Sequence, residues 1–238
     1  SGDYFGAIND LTVVTEIEPN NTAAYAVRGE YKFKKNDYKG ALSDFSKAIL
    51  LDPKDGSLYV GRGATKDALG DKIGAIEDYT KAITINANDY MAFHNRGNCK
   101  YGQGDLSGAL EDYNKSIEIN STYAISYSNR GIVKLDLGDN RGALADFNKS
   151  LELNPTASDV SFTYYNRGVL KYKLQDYRGA IQDYTKTIEY DSKNSSAYFN
   201  RGLAKLKLGD VNGACLDFSK SGELGYYDAY DVIKQYCN

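Results

Sequence analysis

An all-α fold, a solenoid of stacked helix pairs, is predicted by three observations. First, Arg-Gly recurs at Arg28-Gly29, Arg62-Gly63, Arg96-Gly97, Arg130-Gly131, Arg167-Gly168 and Arg201-Gly202. Successive glycines lie 34, 34, 34, 37 and 34 residues apart, and a fixed period of that order marks a chain built by stacking one unit. Second, apolar residues fall at helical spacing in two runs per period, as in Tyr25, Tyr31 and Phe33, then Tyr38, Ala41, Phe45, Ala48 and Ile49. Third, Gly70-Asp71, Gly104-Asp105, Gly138-Asp139 and Gly209-Asp210 separate the two runs. Glycine just past a helix accepts the left-handed conformation, and aspartate then caps the next helix.

Taken in order, residues 1–21 form a partial repeat, with 3–19 reading as the second helix of an earlier unit. Because Ser1-Gly2-Asp3-Tyr4 opens partway through a unit, the expectation is that residues precede it. Residues 22–225 hold six full units. In the first, one helix runs from about Ala23 to Lys35 and the next from about Asp37 to Leu51. Asn36-Asp37 and Gln175-Asp176 take the turn position in two units; asparagine tolerates that backbone geometry better than glutamine does.

Glycines also fall inside helices, where each costs about 1 kcal/mol relative to alanine. One set is Gly29, Gly63, Gly97, Gly131, Gly168 and Gly202; the other is Gly40, Gly74, Gly108, Gly142, Gly179 and Gly213, with Gly6 as a seventh member. Both are expected where two helices approach without a side chain between them. With the turn glycines they account for 17 of the 23, so no phosphate-binding loop is needed to explain them. Three extra residues between Pro155 and Tyr164, around Thr156-Ala157-Ser158-Asp159, either bulge outward or alter the stacking. Residues 226–238 read as an amphipathic helix, Tyr227 to Cys237, covering the last apolar face.

The pattern resembles the tetratricopeptide repeat family. Its spaced signature of aromatic, Gly, Ala, aromatic, Ala and Pro reads as Tyr25, Gly29, Ala41, Phe45, Ala48 and Pro53. It recurs as Tyr59, Gly63, Ala75, Tyr79 and Ala82, and through the later units to Tyr198, Gly202, Ala214 and Phe218. The closing Pro is replaced by Ala87, Ser121, Ser192 and Tyr226. The resemblance implies a right-handed superhelix of antiparallel helix pairs whose first helices line a concave face. It further implies a protein-interaction scaffold binding an extended peptide or partner segment there, with assembly through terminal helices as the alternative.

Composition narrows the partners. A net charge of -3 supplies no broad basic field, so nucleic acid is not expected. No apolar run approaches the length of a membrane span. Cys99, Cys215 and Cys237 read as free thiols in a reducing compartment, giving a cytoplasmic expectation, although Cys215 and Cys237 could approach each other. His94 is the only histidine, and no cysteine pair has metal-ligand spacing. No cofactor, metal or enzymatic activity is expected.

Arg28, Arg62, Arg96, Arg130, Arg167 and Arg201 stand where the family usually has an apolar residue, and Asp44, Asp78, Asp112, Asp146, Asp183 and Asp217 follow each glycine by fifteen. One two-pronged ion pair per repeat is expected, within a unit or to its neighbour; Asp10 leaves both open. Lys32, Lys66, Lys100, Lys134, Lys171 and Lys205 are expected on solvated faces. Before four arginines stand Asn95, Asn129, Asn166 and Asn200, where the first two units have Val27 and Gly61. In similar proteins, asparagines at this place hydrogen-bond a peptide backbone, since an amide offers both donor and acceptor. The alternative is that they bridge neighbouring first helices. Asn98, Tyr101, Tyr165, Tyr172, Phe199, Lys173 and Lys207 complete the expected peptide face. The family's clamp for heat-shock chaperone tails, which needs Lys three residues before the glycine, is absent in every unit.

Overall fold

The computed structural model describes residues 4–153 and 157–237. Among the described residues there are fourteen α-helices and no strand. They fall into two compact units, Ser1–Ser121 and Thr122–Asn238. The first holds α1 (Tyr4–Ile17), α2 (Thr22–Lys34), α3 (Tyr38–Leu51), α4 (Gly56–Ala68), α5 (Lys72–Ile85), α6 (Tyr90–Gly102) and α7 (Leu106–Ile119). The second holds α8 (Ala124–Asp136), α9 (Asn140–Glu152), α10 (Ala157–Lys173), α11 (Tyr177–Tyr190), α12 (Ser195–Lys207), α13 (Val211–Glu223) and α14 (Ala229–Tyr236). Packing is mainly between consecutive helices, and the first helices of adjacent repeats also touch: α2 and α4, α4 and α6, α8 and α10, α10 and α12. In the first unit α2 packs on α3, α4 on α5 and α6 on α7, with α1 against α2. In the second α8 packs on α9, α10 on α11 and α12 on α13, with α14 closing the end against α13.

Local chemistry sets the hairpins. Gly70, Gly104, Gly138 and Gly209 turn with φ between 82° and 86°, and Asn36 and Gln175 adopt the same conformation at 62° and 63°. The aspartate that follows caps the second helix: the backbone N–H of Gly40, Gly74, Gly108, Gly142, Gly179 or Gly213 donates to its Oδ1 at 2.8–3.0 Å. This corrects the expectation for the second glycine set. A Cβ at those positions would strike the capping carboxylate's other oxygen, so these glycines make room first for a cap; at Gly40 and Gly108 a Cβ would also meet Lys32 or Lys100 of the preceding helix. The first set behaves as expected. A Cβ at Gly131 or Gly202 would lie 2.8 or 2.7 Å from the ring of Phe147 or Phe218 on the partner helix.

The cores form repeat by repeat around that ring-on-glycine contact. Phe45, Tyr79, Tyr113, Phe147, Tyr184 and Phe218 are all buried, each beside a buried alanine four residues earlier. The insertion does not bulge over its described part: Ala157 to Asp159 belong to α10, which has 17 residues where its counterparts have 13. Pro155 and Thr156 lie outside the described residues. At the C-terminus the free-thiol reading is overturned, because Cys215 and Cys237 form a disulfide; Cys99 alone stays a buried free thiol. No described helix is long and apolar enough to cross a membrane.

Candidate functional site

Each arginine meets the aspartate of its own repeat. Nε and Nη2 donate to the two carboxylate oxygens at 2.8–2.9 and 2.6–2.7 Å in all six units. The lysine three residues past the glycine reaches the same aspartate at 2.8–2.9 Å. Its side chain is only 19–21% exposed, which corrects the solvated reading of this lysine set. Two cations flank one buried carboxylate. The Asp44 and Asp78 hydrogen bonds hold the Arg28 and Arg62 guanidinium groups more firmly protonated than usual, against the opposing effect of burial.

Two further contacts were not legible as pairs. Each guanidinium lies 5.2–5.6 Å from the ring of the aromatic three residues before it, Tyr25, Tyr59, Phe93, Tyr127, Tyr164 or Tyr198. Nη1 then reaches back to the preceding second helix: Arg96 to Thr80, Arg167 to Asn148, Arg201 to Thr185, and Arg28 to Thr15. Asp10 is exposed, and Arg28 bypasses it. One side chain thus fixes the hairpin and its register on the repeat before.

The first-helix face is assembled differently along the chain. Asn95, Asn129, Asn166 and Asn200 are all half-buried. Asn166 donates to the Phe162 carbonyl of its own helix at 2.9 Å, and Asn200 donates to the Tyr165 hydroxyl, one repeat earlier, at 3.0 Å. Asn98 is drawn inward: its amide contacts His94 Nε2 at 3.1 Å and accepts from the Tyr113 hydroxyl at 2.6 Å. His94 is buried beneath the face. Tyr165, Tyr172 and Phe199 are half-buried, Tyr172 edge-on to Tyr177 and Phe199 against Phe218 and Tyr226. Tyr101 is half-buried, whereas Lys173 and Lys207 are exposed at the helix ends.

Catalytic geometry has little to build on. Among the described residues no group of three His, Cys, Asp or Glu side chains converges on a metal position. Burial pushes the Cys99 thiol up to about 12, the wrong direction for a nucleophile.

Models of the tetratricopeptide repeat match residues 22–55, 56–89 and 124–156, and a TPR repeat model matches 97–138 and 168–209. Together they cover well over half of the sequence. The chain belongs to the tetratricopeptide repeat family. No curated protein matches it at the sequence level. Among solved structures, this TPR chain is similar to the APC/C hetero-tetramer Cut9–Hcn1, with a TM-score of 0.86 at 18% identity over 99% of its length. It spans only 46% of the matched chain of that assembly. It is also similar to MamA (TM-score 0.61, 26% identity, 71% of this chain and 96% of MamA). YrrB, described as a TPR protein with an unusual peptide-binding site, gives a TM-score of 0.63 at 18% identity, over 80% of this chain and 97% of YrrB. Repeats of this family generally mediate protein–protein interaction, and that is the level at which the TPR assignment speaks to function.

Proposed function

We propose that this TPR chain is a non-catalytic scaffold that holds an extended peptide or partner segment along its first-helix face. The observation that carries the reading is the amide at one register of α6, α8, α10 and α12, half-buried each time. Asn95 makes no hydrogen bond among the described residues, so donor and acceptor both remain for a peptide unit. Asn166 uses its donor locally, and its oxygen is the group to offer. Asn200 answers to the alternative reading, since it bridges to Tyr165. Lys173 and Lys207 edge the face and favour an acidic flank in the partner.

Capturing partners from the source cell on immobilised protein tests this. Replacing Asn129 and Asn166 together by alanine should weaken capture at unchanged helical content, and undiminished capture would remove the reading. A second reading, assembly through the terminal helices, is favoured by exposed apolar side chains at Phe5, Val13 and Ile17 on α1 and at Tyr227 and Tyr230 near the other end. Light scattering over a concentration series separates the two, because a peptide scaffold stays at constant mass.

A further inference from the structure

Helices α1 and α14 are held by different chemistry. Arg28 Nη1 donates to Thr15 at 2.6 Å and to Thr12 at 3.3 Å, so α1 shares the guanidinium that clamps α2 to α3. Arginines of α6, α10 and α12 reach back to the preceding second helix in the same way. The sequence of α14, AYDVIKQY, carries no arginine. It has eight residues, Asp228 before it makes no side-chain cap bond, and its Lys234–Asp231 pair lies exposed within the helix. A helix that short does not persist in water unaided.

Two things hold it. Ala229 is fully buried, and Tyr226, Val232 and Ile233 pack against the cluster of Ala214 and Phe218. The other is the Cys215–Cys237 bridge. That bridge lines an open groove of about 610 Å³, with Val211, Leu216, Ile233 and Tyr236 around it. Both of its cysteines are partly exposed, whereas Cys99 is fully buried. A small thiol therefore reaches the bond from solvent while the chain stays folded.

We infer that the Cys215–Cys237 bond is a redox latch, which a dithiol opens in the folded chain to free α14 from α13. One thiolate of the dithiol attacks a bridge sulfur; the S–S bond breaks and the other cysteine leaves as a thiolate. The second thiolate of the dithiol then closes its own ring and releases the first cysteine. Two electrons and two protons pass to Cys215 and Cys237, and the dithiol departs as a cyclic disulfide. Tyr226 leads into α14 and lies 4.7 Å from Phe199, which shares α12 with Leu203 and Leu206. Release of α14 bares the flank of Phe199 and the Phe218 ring. Redox state thereby sets how much apolar surface the last repeat presents. That consequence for the face rests on the peptide-scaffold reading; the latch itself does not.

The test uses the full chain and dithiothreitol, without denaturant and without peptide. Alkylation by iodoacetamide after reduction, read by mass spectrometry, should tag Cys215 and Cys237 and leave Cys99 untouched. Hydrogen exchange measured in dithiothreitol should run about a hundredfold faster across α14, the loss of the loop constraint. Exchange in α8 and α9 should not change. Transfer to oxidised glutathione should restore the protection. The Cys215→Ser, Cys237→Ser chain should exchange at the reduced rate whether or not dithiothreitol is present. A bridge that yields to dithiothreitol only in denaturant would overturn the inference. So would unchanged α14 exchange after reduction, or protection that oxidised glutathione does not restore. Partner capture by the Asn129 and Asn166 variant is scored with the bridge intact, so either reading can fail alone.

Discussion

The most telling single residue in each repeat is the aspartate between two cations. Asp112 is 3% exposed and accepts from Arg96 while pairing with Lys100. Replacing it with alanine leaves both cations facing a poorly solvated space. Urea unfolding should register a loss of about 3 kcal/mol, far more than an exposed pair would give. Gly131→Ala is a second probe. Alanine is the better helix former by about 1 kcal/mol, yet its Cβ would lie 2.8 Å from the Phe147 ring. Overpacking costs about 1–3 kcal/mol, so the melting temperature should fall.

Buried titrating groups give a pH signature. Burial raises the Cys99 thiol from 9.0 to about 12 and also raises the Tyr79 and Tyr184 phenols. The unfolded chain therefore releases these protons first as pH rises. Stability is full below about 9 and falls as pH climbs toward 12. Urea midpoints across that window check this, and Cys99→Ala should make the early part of the decline shallower.

At the level of elements, α14 is tied to α13 by a covalent bond as well as packing, through Cys237 at its C-terminal end and Cys215 within α13. Phe199, Phe218, Val232, Ile233 and Cys237 form the cluster it closes, and Tyr230 sits over Gly222, where a Cβ would come within 2.7 Å of the ring. The Cys215–Cys237 bridge closes a loop of sequence separation 22, worth about 3 kcal/mol on the loop-entropy estimate. In the Cys215→Ser, Cys237→Ser variant, amide exchange should accelerate across α14 and the end of α13. The helices of the first unit should be unaffected, because packing passes only between neighbouring repeats. Uniform acceleration over all the helices would contradict this.

For the whole molecule, packing confined to neighbouring repeats predicts that the second unit stands by itself. A fragment of residues 122–238 should retain helical circular dichroism and a cooperative melt, since α8 to α13 make their hairpin contacts inside it and α14 closes its end. A fragment without a cooperative transition would refute it.

Much of this was legible beforehand. The period, the two helices per unit, the positive-φ turn and the close helix approach at the first glycine set are local or repeat at fixed offsets, so one sequence shows them six times over. The same holds for the Arg–Asp partners in the abstract. What spacing alone left open was whether each arginine takes the carboxylate of its own repeat or that of a neighbouring one. Nor could it reveal that Lys32 and its counterparts fold inward, that Asn98 turns from the face to Tyr113, or that Cys215 meets Cys237. Those outcomes depend on side-chain direction across helix interfaces, where a small rotation moves a polar atom from solvent to a buried partner. Sequence periodicity by itself determined the repeat, its hairpins and the family. Tertiary packing alone decided which polar side chains are consumed internally, like Asn98, and which, like Asn95, keep their side-chain hydrogen-bonding capacity, because that capacity is settled by the neighbours a side chain meets.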